Sequence, residues 1–242
     1  MSLSGATMIT STDIYKNDKT QMHALGQLGV DKYGDLYRYA KLATTDVVAG
    51  KLLTSLAREA NHQNIALSAA AAVGATVVKP TVGATAVDAN EYDEGYLVFS
   101  DVSPEGEWYR IVSHTTSAGS GAINVYLDRP LLTAATTSSE VTLVRNPWNA
   151  PAVSQLIAER PVGVTVVDVD VSEKPYTWLK TRGVAAVLVD TAGITVGYKA
   201  TISDQVDGAV GVLSDLDAEF EVGQAMATGT ATEYNPIYLT ID

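Results

Sequence analysis

The chain has 242 residues and a net charge of -12, because 28 acidic residues stand against 16 Lys and Arg, and it contains no cysteine. An acidic excess of this size repels phosphate backbones and anionic lipids, so we expect neither nucleic acid nor a membrane as a partner. The absence of cysteine excludes a disulfide framework, thiol catalysis and Cys-ligated zinc. The length allows one large domain or two smaller ones with a substantial core.

The first 22 residues are polar, rich in Ser, Thr, Asp and Lys, and show no sustained hydrophobic period. This pattern predicts an extended N-terminal arm over 1–22. No basic stretch precedes an apolar run in it, so we expect no secretory signal peptide.

Two segments follow the arm with different periodicities. Side chains alternate with a period of two over 36–42, which predicts a strand. The segment 51–63 is ambiguous, because Leu52, Leu53 and Leu56 can share one stripe of a helix. We expect no more than a short helix there.

The middle of the chain has a clear β pattern. The segments 96–102 and 107–112 flank the turn sequence Ser-Pro-Glu-Gly and predict a hairpin. A second hairpin leads through a flexible loop into 122–127, and a further strand follows over 138–146. Strands at this spacing, separated by turn residues, favour an antiparallel sandwich or barrel over βαβ units.

The β pattern resumes after Pro151. Over 161–171 the apolar alternation changes face at Val166 and Val167, which predicts a β-bulge or a sharp corner. The segments 184–189 and 194–200 flank a four-residue loop that ends in a glycine and predict another hairpin. Two last strands are expected in 207–214 and 237–241.

One short pattern occurs twice. The sequences Tyr-Arg-Tyr-Ala-Lys at 37–41 and Tyr-Thr-Trp-Leu-Lys at 176–180 each place two rings and a lysine on one face of a strand. The repeat suggests that 23–69 and 150–242 build one discontinuous β-domain and that 70–149 is an inserted second β-domain. The predicted fold is therefore all-β and mainly antiparallel, a barrel or sandwich with little helix.

The same pattern raises the question of what its aromatic face contacts. In each strand the lysine stem can cover ring surface while the ammonium reaches water. Tyr, Trp and Arg are frequent anchors of protein interfaces, so we predict that this face lies at a subunit interface. The residues of this predicted interface are Tyr37, Tyr39, Tyr176, Trp178 and Arg182. We also expect 181–183 to redirect the chain at a corner.

Candidate catalytic and metal-binding residues are few. His114 follows Ser113 and lies across a predicted hairpin from Asp101, but no G-x-S-x-G motif is present and adjacent strand residues point to opposite faces. Asp168 and Asp170 share one face of a predicted strand, where polar residues normally face solvent.

Two loops resemble binding motifs only superficially. The acidic loop 88–95 lacks the residue order of a calcium loop, and the glycine-rich loop 117–121 lacks the Lys-Ser/Thr of a phosphate loop. We therefore predict no catalytic residue, no metal and no cofactor, and a protein that is not an enzyme.

Four segments carry a resemblance to a known family. They are ALGQLGVDKYGDLYRYAKLATTDVVAGKLL at 24–53, VGATAVDANEYDEGYLVFSDVSPEGEWYRIVSH at 82–114, SSEVTLVRNPWNAP at 138–151 and PYTWLKTRGVAAVLVDTAGITVGYKA at 175–200. Their pattern of glycines, aromatic residues and turns resembles the capsid decoration proteins, also called cement or head-stabilising proteins, of tailed bacteriophages.

The resemblance implies a β-rich homotrimer that is made in the host cytoplasm and becomes part of the virion on the outer surface of the capsid. Its implied partner is the major capsid protein, and bridging of neighbouring capsomers is the implied means of capsid stabilisation. Three weak contacts on one trimer give high avidity once the lattice presents three matching sites.

We expect the capsid contact in the N-terminal arm. Ile14, Tyr15, Lys16 and Lys19 mix apolar and basic side chains without a core to serve. A polar arm can also add a strand to a neighbouring protein surface.

Two alternatives stay open. A tail or fibre β-structural protein of a phage is one, although such proteins favour shaft-like repeats, which the sequence lacks. A carbohydrate-binding module is the other, and it requires a cleft with paired carboxylates and exposed aromatic rings. Asp168, Asp170 and Trp178 are the nearest candidates for that cleft.

Overall fold

The computed structural model describes residues 5–43, 45–153, 159–214 and 219–242. In these ranges the chain forms strands and two single-turn 3-10 helices, Asp13–Tyr15 and Ala60–His62. The prediction of an all-β chain with little helix is confirmed. The strands, in chain order, are β1 (Thr7–Met8), β2 (Leu28–Val30), β3 (Leu36–Lys41), β4 (Leu52–Thr54), β5 (Ile65–Ala69), β6 (Val77–Pro80), β7 (Tyr96–Asp101), β8 (Trp108–His114), β9 (Val125–Leu127), β10 (Glu140–Val144), β11 (Pro161–Thr165), β12 (Tyr176–Leu188), β13 (Lys199–Ile202), β14 (Val210–Val212), β15 (Gly223–Ala225) and β16 (Tyr234–Thr240).

The chain divides into two compact units. One is discontinuous and comprises Met1–Leu56 and Pro147–Asp242; we call it the sheet unit. The other, Ala57–Asn146, is the barrel unit. The predicted insertion 70–149 shares 70–146 with the barrel unit, and β5 also lies in that unit.

The barrel unit is a closed barrel of six antiparallel strands in the order β10-β5-β6-β9-β8-β7, in which β10 also pairs with β7. The predicted hairpins β7–β8 and β8–β9 are present. Inward side chains such as Leu97, Phe99, Tyr109 and Ile111 are almost fully buried and form a single core cluster. Closure pairs both edges of each strand in the ring and covers the strand edges that an open sheet leaves unpaired.

Two hydrogen-bonded carboxylates make the barrel unit sensitive to acid. Hydrogen bonds from Thr133 and Tyr109 lower the pKa of Glu107, and a hydrogen bond from the backbone of Asn61 lowers the pKa of Glu59. Each carboxylate therefore stabilises the folded state above its unfolded pKa, and this contribution is lost as the pH falls through the lower folded pKa.

We expect the melting temperature of the protein to fall as the pH drops below about 4.5, where these carboxylates gain protons. The Glu59→Gln/Glu107→Gln double variant should show a shallower fall in that range, because it has lost both titrating groups. Glu105→Gln is the control, since Glu105 accepts no hydrogen bond within the described ranges. Melting curves that fall equally steeply for all three proteins contradict this prediction.

The sheet unit is built around β12, its longest strand. The sheet runs in the order β1-β2-β3-β12-β16-β15-β13-β14, and β11 pairs with both β12 and β4. β12 pairs with β3 along its first half and with β16 along its second half. All of these pairs are antiparallel except β1–β2, which is parallel.

The expected corner at 181–183 is wrong, because β12 continues through it as one strand of 13 residues. The irregularity is a bulge against β3 between Lys180 and Arg182, followed by Gly183 with a φ of +99°. The predicted hairpin between 184–189 and 194–200 is also wrong. β12 pairs with β16 instead, and β13 pairs with β14 and β15.

The ambiguous segment 51–63 contains β4 and the 3-10 helix Ala60–His62. Leu52 and Leu53 are both buried, but they belong to two different core clusters. Consecutive residues of a strand point to opposite faces, so two adjacent buried leucines fit a strand that is covered on both sides.

The N-terminal segment packs onto the sheet unit rather than extending from it. β1 pairs with β2, and the backbone N–H of Ile9 donates to the carbonyl of Val30 at 3.0 Å. Ile9 and Ile14 are both buried, so the prediction that this arm has no core to serve is wrong. Residues 1–4 of the predicted arm lie outside the described residues.

Candidate functional site

The aromatic face predicted from the repeated pattern exists, and the chain itself covers it. The register of β3 and β12 places Tyr39 opposite Trp178 and Tyr37 opposite Lys180. The Tyr39 and Trp178 rings pack edge to face, with centroids 5.1 Å apart. Tyr37, Tyr39 and Trp178 are each at most 3 % exposed. These three predicted interface residues are therefore core residues.

The cover over these rings comes from the N-terminal segment. Ile9, Ile14 and Leu25 belong to the same buried cluster as the three rings. Burial raises the pKa of Tyr37 and of Tyr39 above the ordinary value, so both remain neutral phenols. Of the other predicted interface residues, Tyr176 is half-buried against the cluster and Arg182 is exposed.

A partly buried ion pair lies next to the bulge of β12. The Lys180 ammonium donates to a carboxylate oxygen of Asp35 and, at 2.7 Å, to the carbonyl of Val184. It also lies 5.6 Å from the centroid of the Tyr37 ring. A Cβ on Gly183 would clash with the Asp35 carboxylate, so both the positive φ and the space require glycine there.

A groove of about 600 Å³ opens on the sheet unit beside this ion pair. Its aliphatic lining includes Ile14, Val166 and Ala185. Four of its lining residues are large, apolar and substantially exposed: Tyr15 at 61 %, Val48 at 50 %, Val184 at 46 % and Tyr234 at 51 %.

Three polar side chains in the groove, Asp168, Thr165 and Lys180, have partners within the protein. Asp168 Oδ1 accepts a hydrogen bond from the backbone N–H of Ala49 at 2.8 Å. Thr165 Oγ1 donates to the carbonyl of Val48 at 2.8 Å, and the Lys180 ammonium pairs with Asp35. The groove thus offers aliphatic and phenolic surface, which suits contact with the side chains of another protein.

An exposed apolar face continues from the groove along β12 and β16. The register places Val184 opposite Tyr238, Ala186 opposite Pro236 and Leu188 opposite Tyr234. Residues 234, 236 and 238 alternate with buried ones along β16. We call Val184, Ala186, Tyr234, Pro236 and Tyr238 the apolar face. Sequence reasoning missed Tyr234 and Pro236 because the predicted last strand began only at 237, and it did not single out Tyr238 within that strand.

The four predicted capsid-contact residues separate into two groups. Ile14 is buried and lines the inner side of the groove, whereas Tyr15 next to it is exposed at the groove. Lys16 forms a 2.9 Å ion pair with Asp18 at the surface. Lys19 is also exposed but does not line the groove.

The two histidines of the barrel unit position Tyr92. The backbone N–H of Tyr92 donates to His114 Nε2 at 3.0 Å, so Nδ1 of that ring carries the proton and donates to the Thr115 carbonyl. His62 Nε2 lies 3.2 Å from the Thr85 carbonyl oxygen, and its Nδ1 lies 2.6 Å from the Tyr92 hydroxyl oxygen, so both ring nitrogens are within hydrogen-bond distance of a partner. Both imidazoles are thus engaged in contacts around Tyr92.

Asp168 and Asp170 do not act as a pair. Asp168 accepts from Ala49, whereas Asp170 Oδ1 accepts from the backbone and hydroxyl of Ser172 and from the backbone of Glu173. The hydrogen bond from the Ser172 side chain lowers the pKa of Asp170. In the part of the chain that the structure describes, no three His, Asp or Glu side chains are grouped so as to bind a metal ion.

No helix within the described ranges is long and apolar enough to cross a membrane. Comparison of the chain with protein-family models, with curated proteins and with solved structures finds no match.

Proposed function

We propose that this chain is a structural protein of a tailed-bacteriophage virion that binds the outer surface of the head and bridges neighbouring capsomers. The observation that carries the proposal is the groove of the sheet unit with its exposed rim of Tyr15, Val48, Val184 and Tyr234. Contiguous exposed apolar surface of this kind is typical of a protein-binding site. The resemblance to capsid decoration proteins supplies the partner, the major capsid protein.

The groove suits a stabilising contact for physical reasons. Tyrosine rings provide large contact area at a small cost in side-chain entropy, and a partly concave apolar site can exclude water from their contacts. Tyr15 belongs to the segment that we predicted to touch the capsid, and Ile14 anchors that segment in the core. The 3-10 helix Asp13–Tyr15 thus presents Tyr15 from a fixed backbone.

A homotrimer is the second part of the proposal. Every copy carries a net charge of -12, so copies repel one another except where they meet through surface with few charges. The part of the apolar face that lies outside the groove, Pro236 and Tyr238, fits this requirement, because both residues are uncharged and face outward on β16. Three copies joined there would present three grooves to the capsid lattice.

The test of this proposal is co-sedimentation of the purified protein with expanded and with immature heads of the tailed phage that encodes it. We expect binding to expanded heads, and a loss of about tenfold or more in affinity for the Tyr15→Ser/Tyr234→Ser double variant. Both side chains are more than half exposed, so this variant should fold normally. Deletion of 1–20 is a poorer test, because it removes Ile9 and Ile14 from the core.

Tyr33→Ser is the matched control. Tyr33 also belongs to the sheet unit, is 79 % exposed, and does not line the groove. It should leave head binding unchanged. Light scattering of the unaltered protein should give the mass of a trimer. Failure of the unaltered protein to sediment with expanded heads, or full binding by the double variant, would overturn the proposed function.

A further inference from the structure

The outer surface of the barrel unit carries a cluster of aromatic and arginine side chains. Along β8 the outward positions are Trp108, Arg110 and Val112, and all three are exposed. Across the β7–β8 pair Tyr96 lies opposite Arg110, and Arg129 reaches the cluster from the segment after β9. We call Tyr96, Trp108, Arg110, Val112 and Arg129 the Trp–Arg patch.

The rings of the patch position its two guanidinium groups. The Arg110 guanidinium lies 4.7 Å from the centroid of the Tyr96 ring, and that of Arg129 lies 5.2 Å from the Trp108 ring. The Tyr96 and Trp108 rings pack edge to face at 5.9 Å. Stacking on rings restricts the arginine side chains before any partner arrives, which reduces the entropy lost on binding.

Most hydrogen-bond donors of these two arginines remain available. Arg110 Nη1 donates to the carbonyl of Glu94 at 3.0 Å, and Arg129 Nη2 donates to the carbonyl of Trp108 at 2.6 Å. Each guanidinium has five N–H donors. Within the described residues, neither forms an ion pair with a carboxylate, whereas Arg38 pairs with Asp242 and Arg145 with Glu91.

The acidic groups near the patch have other contacts. Asp128 Oδ1 accepts a hydrogen bond from the backbone N–H of Arg110 at 3.1 Å. Glu107 accepts from the Tyr109 hydroxyl, and its charge and that of Arg129 attract each other. In the part of the chain that the structure describes, the two guanidiniums are exposed and form no salt bridge, as is also true of Arg58, Arg160 and Arg182, but Arg110 and Arg129 differ from these in being stacked on neighbouring rings.

We propose that the Trp–Arg patch is a docking site for an acidic segment of a partner polypeptide. The two guanidiniums bind carboxylates of that segment through their planar N–H forks, and its apolar side chains pack on Trp108 and Val112. Arginine is the residue best suited to bind carboxylates in this bidentate way. Trp, Tyr and Arg, which all occur in the patch, are also enriched among the energetic anchors of protein interfaces.

The charge of the patch and of the barrel unit favours a polypeptide over a nucleic acid as the ligand. A nucleic-acid strand requires a run of cations along its backbone. In the barrel unit the acidic residues outnumber the basic ones, and the patch holds only two cations. A short segment with two carboxylates between apolar residues matches both the charge and the apolar surface of the patch.

The experiment uses the full chain and three labelled probes: a short peptide that alternates Glu with Val and Tyr, the same peptide with Gln for Glu, and an oligothymidylate. Binding is followed by fluorescence anisotropy at low and at moderate salt. We expect binding of the Glu peptide, and a loss of about tenfold or more in affinity in the Arg110→Gln/Arg129→Gln double variant. The corresponding double Lys variant should bind with intermediate affinity, because it keeps the charges without the planar forks.

Arg58→Gln/Lys79→Gln is the matched control, since it removes two exposed positive charges from the same unit outside the patch. It should bind the Glu peptide as the unaltered protein does. The proposal is overturned if the unaltered protein does not bind the Glu peptide, if it binds the Gln peptide or the oligothymidylate as tightly, or if the control loses as much affinity as the patch variant. No phage head is used, so this result and the co-sedimentation result can fail independently.

Discussion

Replacing Trp178 with alanine is expected to lower the free energy of unfolding of the sheet unit by about 3–5 kcal/mol. Trp178 is 3 % exposed, and its ring packs against Tyr39 and, with centroids 5.1 Å apart, against His23. A Cβ on Gly29 would lie only 2.8 Å from the Trp178 ring, which shows how closely β2 approaches it. Truncation leaves a cavity in a site where strands surround the ring and cannot collapse fully. Urea unfolding followed by circular dichroism measures the loss.

Trp108→Ala is the matched control for Trp178→Ala. Trp108 lies on the outer surface of the barrel unit and is 51 % exposed, so the same truncation should cost less than about 1 kcal/mol. The comparison also tests the assignment of the aromatic face. A loss at Trp178 no larger than the loss at Trp108 would mean that Trp178 is not buried within its own chain.

The sequence predicts local pairing well, because the signal lies in neighbouring residues. Alternation and turn residues identified β7, β8, β9 and the hairpins between them. The same alternation placed Tyr37 and Tyr39 on one face of their strand and Tyr176 and Trp178 on one face of theirs. The pairing of the two strands, which puts Tyr39 opposite Trp178, was not predicted. Alternation cannot reveal what covers an apolar face of a sheet. The sequence pattern is the same whether the face packs against another part of its own chain or against another subunit.

The errors concern contacts between residues far apart in the chain. Ile9 and Ile14 cover Trp178, and no local pattern links these positions. β12 pairs with β16 rather than with the nearer β13, and the extent of β12 depends on a bulge at Lys180 that keeps it paired with β3. Loop closure between distant segments leaves no periodic signature in a single sequence.

The candidate site was predictable only in part. Tyr15 was among the predicted contact residues and lies at the groove. It could be predicted because an apolar ring in an otherwise polar segment indicates a surface contact. Tyr234 lay outside the predicted last strand and Tyr238 was not singled out within it, although Tyr234, Pro236 and Tyr238 alternate with buried residues. The proline within that run weakened the strand signal, and its position on the outward face explains why the strand tolerates it.

The ion pair between Lys180 and Asp35 provides the second large expected effect. Asp35→Ala should lower the free energy of unfolding by about 3 kcal/mol, because it leaves a buried ammonium without its carboxylate. This loss is at the lower end of the range usual for breaking a buried ion pair, since the Asp35 side chain is 30 % exposed. Lys180→Met should cost less, about 1 kcal/mol, because its apolar chain fills similar space and leaves only a partly solvated carboxylate.

The Asp35→Ala/Lys180→Met double variant should be more stable than Asp35→Ala alone, since no buried charge remains. Urea unfolding of the four proteins gives the coupling between the two side chains as a double-mutant cycle. Glu221→Ala is the control, because the Lys199–Glu221 pair is exposed on both sides and should contribute less than about 1 kcal/mol. Additive losses at Asp35 and Lys180 would contradict the buried pair. Coupling would instead show that one interaction fixes the bulge before Gly183, the Asp35 carboxylate beside it and the Val184 side of the groove.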